Sequence, residues 1–243
     1  YMTDFKKAIY SNYVQHHTQQ LYGRETLQGL RSKFPAWRYY FGNLLPKSKA
    51  AVVLDIGCGD GGFVFFLQSM GYTHAEGIDI SQQQIEVGRY LGIKNLQVSD
   101  LHEFLIDKQS SFDCIVARDV MEHLTRQEMF EAMQKIYSAL RPGGSFILQS
   151  PNGEGIFYAS IFYGDYTHEI AFTETSLSQL CRNTGFEHLQ FKATGPVPHG
   201  IFSLIRWGLW QLIVLKAKFF KMIETGSWGG TYTQNIIAKA TRY

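Results

Sequence analysis

Between Val52 and Gln68 the chain reads VVLDIGCGDGGFVFFLQ, an apolar run, an acid, four glycines within six residues, then helical spacing. No other stretch constrains the fold as strongly, because a strand must turn into a helix across it. Glycine tolerates positive φ and has no Cβ, so backbone at such a turn can approach a ligand closely. Free amides at the start of the following helix favour negative groups. A tight connection with no ligand would use the same glycines, so the surrounding pattern has to decide.

That pattern is regular from Ala50 onward. β-rich runs fall at 52–56, 74–80, 96–100, 112–119 and 145–151, with helical spacing at 62–70, 81–91, 101–106 and 125–140 between them. Strands alternating with helices imply parallel βαβ units and a doubly wound α/β sheet with helices on both faces. Thr125 and Glu128 make a capping box for the helix at 125–140, and RPGG is expected to stop it. After Pro151 comes a long aromatic loop, a helix at 174–183, a strand at 188–195, an apolar helix at 200–222 and a strand at 233–241. Residues 1–48 carry helical segments without a strand, the second interrupted at Pro35, and are expected to form a cap on a domain of 49–243 with a helical insertion at 196–230.

Composition excludes several classes. With 45% hydrophobic and 18% charged residues the chain is globular, not disordered. A net charge of +2 provides no basic field, so no nucleic-acid partner is expected. Cys58, Cys114 and Cys181 have no metal-ligand spacing, and an odd, sparse count suits a reducing, cytoplasmic setting. The polar opening YMTDFKKAIY leads to the expectation of no cleavable signal.

The acids beside the glycines shape the ligand. A dinucleotide fingerprint has GxGxxG and seats a pyrophosphate. Here Gly57, Gly59 and Gly61 place the third glycine one residue early, and Asp55 would repel a pyrophosphate while suiting an ammonium group. Asp79 ends the second strand, where a carboxylate accepts from both ribose hydroxyls, and Asp100 ends the third, placed for an adenine amino group. Three acids at three strand ends describe a nucleoside with a cationic, amino-acid-like tail.

With that outline drawn, LDIGCGDGG, GIDIS, FDCIVARDVMEHL and LRPGGSFILQSPN resemble, in order, the motifs of class I S-adenosylmethionine-dependent methyltransferases over roughly 50–195. The resemblance implies a Rossmann-like seven-stranded sheet whose last strand runs antiparallel beside the fifth. It also implies S-adenosylmethionine as cofactor. Gly57, Gly59 and Gly61 would then cradle the methionine part with Asp55 beside its ammonium, Asp79 would hold the ribose and Asp100 the adenine, with Ile80 and Leu101 against the ring, and Cys58 and Arg118 would complete the cofactor site.

For the acceptor, the absence of an NPPY-type motif after the fourth strand points away from amino methylation of nucleic acids and towards a hydroxyl on a glycan or small molecule. Methyl transfer to a hydroxyl needs positioning and a base. Two histidines compete for that role, His123 in MEHL and His168, with Asp165 three residues earlier as its expected orienting group. Either could instead serve only to tie down its loop. The segments YSNYVQHH and YGDYTHEIAFTETSLSQLCRNTGF are similar to methyltransferases of bacterial capsule and lipopolysaccharide assembly, which implies a sugar or sugar-phosphate acceptor. Tyr13, His17, Arg38, Tyr163 and Tyr166 would then meet it. A quinone-like or other hydroxylated metabolite is the alternative acceptor, and a silent cofactor-binding partner in polysaccharide assembly is the alternative of another class. Asp119, Glu122, Asp165, His168 and Glu169 offer ligand atoms, but no spacing demands a metal, so none is expected. The helix at 200–222, with its lysines and tryptophans, suits either the inner face of a membrane or a cap or homodimer contact.

Overall fold

The computed structural model describes residues 25–243. Helix α1 (Leu27–Phe41) is followed by β1 (Val52–Ile56), α2 (Gly62–Ser69), β2 (His74–Asp79), α3 (Gln82–Tyr90) and β3 (Leu96–Val98). Then come α4 (Leu101–Phe104), β4 (Phe112–Arg118), a 3-10 turn (Met121–His123), α5 (Arg126–Ala139) and β5 (Leu140–Pro151). The chain closes with α6 (Tyr158–Phe162), α7 (Glu174–Asn183), β6 (Phe186–Ala193), α8 (Ile201–Thr225) and β7 (Asn235–Arg242). The seven strands form one sheet in the order β3-β2-β1-β4-β5-β7-β6. β1 to β5 are parallel, and β7 runs antiparallel to both β5 and β6. The Rossmann-like architecture with an antiparallel last strand is therefore as expected.

Alternation along the strands builds a core on each face. Val53, Cys114, Val116, Ile147 and Ile237 pack with α1, α2 and α3, while Leu54, Ile56, Ile115, Ala117, Phe146 and Leu148 face α4, α5 and α7. Helix α5 meets its core through Met129, Ala132, Met133 and Ile136, spaced for one helical face. Truncating one such fully buried aliphatic side chain to alanine costs about 2–5 kcal/mol.

Two local expectations are corrected and one is extended. Pro35 does not interrupt α1. It lies on the exposed face, where water can satisfy the Arg31 carbonyl it leaves unpaired, while Phe34 and Trp37 pack on Phe63, Phe65 and Phe66 of α2. The helix at 125–140 ends at Ala139, just ahead of RPGG, as expected; RPGG then forms a bulge within β5, where Leu140 pairs with Phe112 and Ser145 with Cys114, so Arg141–Gly144 loop out opposite Asp113. Asp113 holds that bulge by accepting from Arg141 Nη1 at 2.7 Å and from the Val52 N–H at 2.7 Å. The sixth strand begins at Phe186, since Phe186 and Glu187 pair with Arg242 and Thr241 and a register shift near His188, at φ 50°, absorbs one extra residue before pairing resumes at Gln190. Part of the aromatic content, Phe34, Trp37, Phe41, Phe63, Phe65 and Phe66, is spent on the α1–α2 contact.

Candidate active site

The glycine turn leaves β1 at Gly57 with φ 66° and passes Gly59 at φ 56°, both left-handed conformations that a side chain would strain. A Cβ on Gly57 would stand 2.2 Å from Val120 Cγ2, whereas one on Gly59 would meet nothing within 4 Å. Gly59 thus presents bare backbone to open space. Its N–H donates to Asp79 Oδ2 at 2.8 Å, and the Ser81 N–H donates to Asp79 Oδ1 at 2.7 Å. The turn after β1 and the end of β2 are therefore tied together. Burial lifts the Asp79 carboxyl above its ordinary value, with the two N–H donors opposing.

A cavity of about 240 Å³ opens at the carboxyl ends of β1 to β4, where open parallel sheets bind ligands. Of the expected cofactor residues, Gly57, Gly59, Asp79, Ile80, Asp100 and Leu101 line it. Asp100 also caps α4, its Oδ1 accepting from the His102 N–H at 2.7 Å. The remaining four lie outside the wall. Cys58 is buried against Gly77, and Gly61 packs against Leu96 at the start of α2. Asp55 is wholly buried with neither oxygen hydrogen-bonded, and burial raises its carboxyl to about 7, opposed by the Arg118 cation. Arg118 rests on the Phe63 ring at 4.3 Å and the Trp37 ring at 4.9 Å.

Beside this cavity a second polar cluster gathers around the turn after β4. His123 lines the cavity, and its ring centroid is 4.7 Å from that of His168, which arrives from the loop beyond β5. Asp165 does not orient His168 as the spacing suggested. Its Oδ1 instead accepts from Thr167 Oγ1 at 2.6 Å and from the Thr167 N–H at 2.9 Å. Because Thr167 donates to Asp165, its oxygen accepts from His123 Nδ1 at 2.7 Å. The relay therefore runs Asp165–Thr167–His123. His168 is held by a different group, its Nδ1 donating to the Phe162 carbonyl at 2.9 Å. Both rings are thus anchored through Nδ1, which makes Nε2 the basic nitrogen of each neutral imidazole. Glu122 is fully buried beneath them, and burial pushes its carboxyl well above the usual range, reinforced by Asp119. Asp119 lines the cavity at φ 56°, held by Gln149 Nε2 at 2.7 Å.

The expected acceptor residues are dispersed. Tyr163 and Tyr166 are 75% and 85% exposed on the loop carrying His168, and Arg38 is exposed on α1 away from the cavity wall. Tyr13 and His17 lie outside the described residues. Sequence reasoning did not name Val120, Gln84, Ser99, His102 or Glu128 as site residues, yet they also line the cavity. Their signal was positional only, Val120, Gln84, Ser99 and His102 lying within about five residues of a strand end and Glu128 in the first turn of α5. His102 has no partner on either ring nitrogen, and burial lowers its pKa.

A family model described as a methyltransferase domain matches residues 14–190. The mouse mitochondrial ubiquinone biosynthesis O-methyltransferase is 32% identical over 115 residues, 44% of this chain and 30% of that protein. The maize phosphoethanolamine N-methyltransferase 1 is 29% identical over 157 residues, 60% of this chain and 30% of that protein. The matches thus span about a third of the length of these curated relatives. Among solved structures, an S-adenosylmethionine-dependent methyltransferase from Archaeoglobus fulgidus superposes with a TM-score of 0.66 at 21% identity, covering 88% of this chain and 96% of that one. The Haemonchus contortus phosphoethanolamine N-methyltransferase 2, solved with phosphomonomethylethanolamine and S-adenosylhomocysteine, gives 0.60 at 16%, covering 96% and 60%. At these identities the structures speak for the fold.

Proposed function

The chain belongs to the methyltransferase-domain family, and from that premise we propose that it is an S-adenosylmethionine-dependent O-methyltransferase acting on a hydroxylated acceptor. The observation that carries this reading is one cavity walled by the Gly57–Gly59 cradle, Asp79 and Asp100, with His123 in the same wall and His168 against it.

The cavity residues fit the nucleoside. Gly59 offers open backbone where a side chain would intrude. Asp79 spends one lone pair of each oxygen on a backbone amide and keeps capacity for ribose hydroxyls. Ile80 and Leu101 supply apolar wall for a purine, and Asp100 an acceptor for its amino group. When bound, S-adenosylmethionine supplies an electrophilic methyl carbon on a sulfonium. The chain's part is then to aim the acceptor oxygen and to dispose of its proton as the new O–C bond forms. In the ion-free chain that proton passes to Nε2 of the His123–His168 pair, and Asp165, acting through Thr167, steadies the His123 imidazolium.

The acceptor is read as a sugar hydroxyl of a surface glycan or its precursor, supported by Tyr163 and Tyr166, which stand exposed on the His168 loop for stacking. A quinone-like hydroxylated metabolite is the second reading, supported by the identity to the mouse ubiquinone-pathway enzyme. Helix α8 carries exposed Leu209, Leu212, Ile213 and Leu215 followed by Lys216, Lys218 and Lys221, and is read as the surface that meets a membrane. No described helix is long and apolar enough to cross one. Incubation with methyl-labelled S-adenosylmethionine tests the activity, offering nucleotide sugars, glycan fractions and hydroxylated quinone analogues side by side. Label in a glycan hydroxyl supports the first reading and label in a quinone the second. No transfer to any hydroxyl would overturn both.

A further inference from the structure

We propose that Glu122, His123 and His168 form a binding site for one divalent transition-metal ion of the Zn²⁺ type. One ligand atom from each of the three lies within 4.8 Å of the other two, a spacing that small side-chain movements close to a coordination sphere.

The cluster is built as a ligand set is built. Glu122 is fully buried; its Oε2 accepts from Ser150 Oγ at 3.2 Å, while Oε1 has no partner at all. A buried acceptor left unmatched costs free energy that a cation would recover. Each imidazole is oriented through Nδ1, His123 by the Thr167–Asp165 relay and His168 by the Phe162 carbonyl. That is the outer-shell arrangement that fixes the tautomer of a metal-binding imidazole. The two carrying segments are also clamped together, because the Glu122 carbonyl accepts from the Glu169 N–H at 2.7 Å and the Ile170 N–H at 3.3 Å.

Two nitrogens and one carboxylate favour Zn²⁺, Co²⁺ or Fe²⁺ over Mg²⁺ and Ca²⁺, which prefer oxygen. Three protein ligands leave a fourth position open, as catalytic sites require. Since His123 also borders the cavity, the open position lies beside the space assigned to the methyl donor. Resting on the methyltransferase reading, the fourth ligand is the acceptor hydroxyl. The ion lowers its pKa, the O–H bond breaks with the proton passing to water, and the oxygen's electron pair forms the bond to the methyl carbon as the carbon–sulfur bond breaks.

The test uses the full chain, stripped with a chelator and titrated with Co²⁺ and Zn²⁺. One ion per chain is expected, with visible absorption for Co²⁺ typical of a low-coordinate nitrogen–oxygen site, and without displacement by millimolar Mg²⁺. Glu122→Gln, which keeps the shape of the buried side chain, and His168→Gln should each weaken Co²⁺ binding at least about tenfold while melting cooperatively. Absence of saturable one-to-one binding in the wild type overturns the site, as does unchanged affinity in both folded variants. Methyl transfer is assayed separately on the stripped protein and on the same protein reloaded with the ion. Cation binding without any methyl transfer leaves the site standing and removes the methyltransferase reading. Equal turnover with and without the ion overturns the ion's catalytic role.

Discussion

His123 and His168 stand with ring centroids 4.7 Å apart and ring planes at 52°, one from the turn after β4 and the other from the loop after β5. Adjacent parallel strands bring those two connections to the same end of the sheet, beside the cavity that Gly57 and Gly59 open. Anchoring both rings by Nδ1 fixes which nitrogen of each can act.

At the turn, Gly57→Ala and Gly59→Ala should fail in different ways. Both force a side chain into left-handed backbone, at a cost of about 1–2 kcal/mol. Gly57→Ala also drives a Cβ into Val120 and should lower the melting temperature by several degrees more. Gly59→Ala meets no atom of the protein but fills the cradle, so calorimetry should show S-adenosylmethionine affinity falling at least about tenfold in a well-folded protein.

Asp79→Asn replaces one accepting oxygen by an NH₂ facing either the Gly59 or the Ser81 N–H. The variant also weakens the charge-assisted bonds read for the ribose hydroxyls, and a hydrogen bond to a charged group is worth about 1.5–3 kcal/mol, or roughly 10- to 100-fold in cofactor Kd. Isothermal titration of purified wild type and variant reads this directly, and an unchanged Kd would remove Asp79 from the ribose role.

Asp55 makes stability depend on pH. Its carboxyl is raised from 3.8 to about 7 by burial in the folded chain, so folding takes up a proton between those values. The stabilisation is complete below pH 3.8 and is lost as pH rises through about 7. Asp55→Asn should therefore flatten the pH profile and gain on the wild type, by an amount on the order of a few kcal/mol, as pH goes from 4 to 8. Denaturant melts of the ligand-free proteins at several pH values check it. Parallel curves would mean the carboxyl is solvated after all.

With an acceptor in hand, His168→Ala and His123→Ala should lower kcat by about 10²- to 10⁴-fold while leaving cofactor Kd within a factor of about two. Thr167→Val, which cuts the relay from Asp165, should shift the pH–rate profile of an otherwise active enzyme. Full turnover by both alanine variants would exclude the histidines from the chemistry.

Replacing Leu212 and Ile213 on α8 by glutamate should abolish co-sedimentation with anionic vesicles without altering the melt, since both are exposed. If wild type stays in the supernatant and elutes at twice its mass, α8 is a contact between copies instead.

The sequence made the donor half of this protein legible because its signals are local. A strand, a glycine turn and a helix start are contiguous, and Asp79 and Asp100 each sit at a strand end that alternation alone locates. Where neighbours decide, local reading failed. Pro35 stays helical because its exposed side can be hydrated, and the bulge that RPGG forms after ending its helix depends on Asp113 and Arg141 holding it in the sheet. Asp55 and Gly61 belong to the right motif, yet packing turns them away from the cavity wall.

What the sequence determined by itself was a doubly wound sheet with a glycine cradle and acids at its strand ends, because period, glycine placement and capping act over a few residues. Only the tertiary structure decided that Glu122, His123 and His168 share one polar cluster and that Asp165 steadies His123 through Thr167. Those contacts join separate connections across the sheet. Sequence spacing carries no information on distances that strand order alone creates.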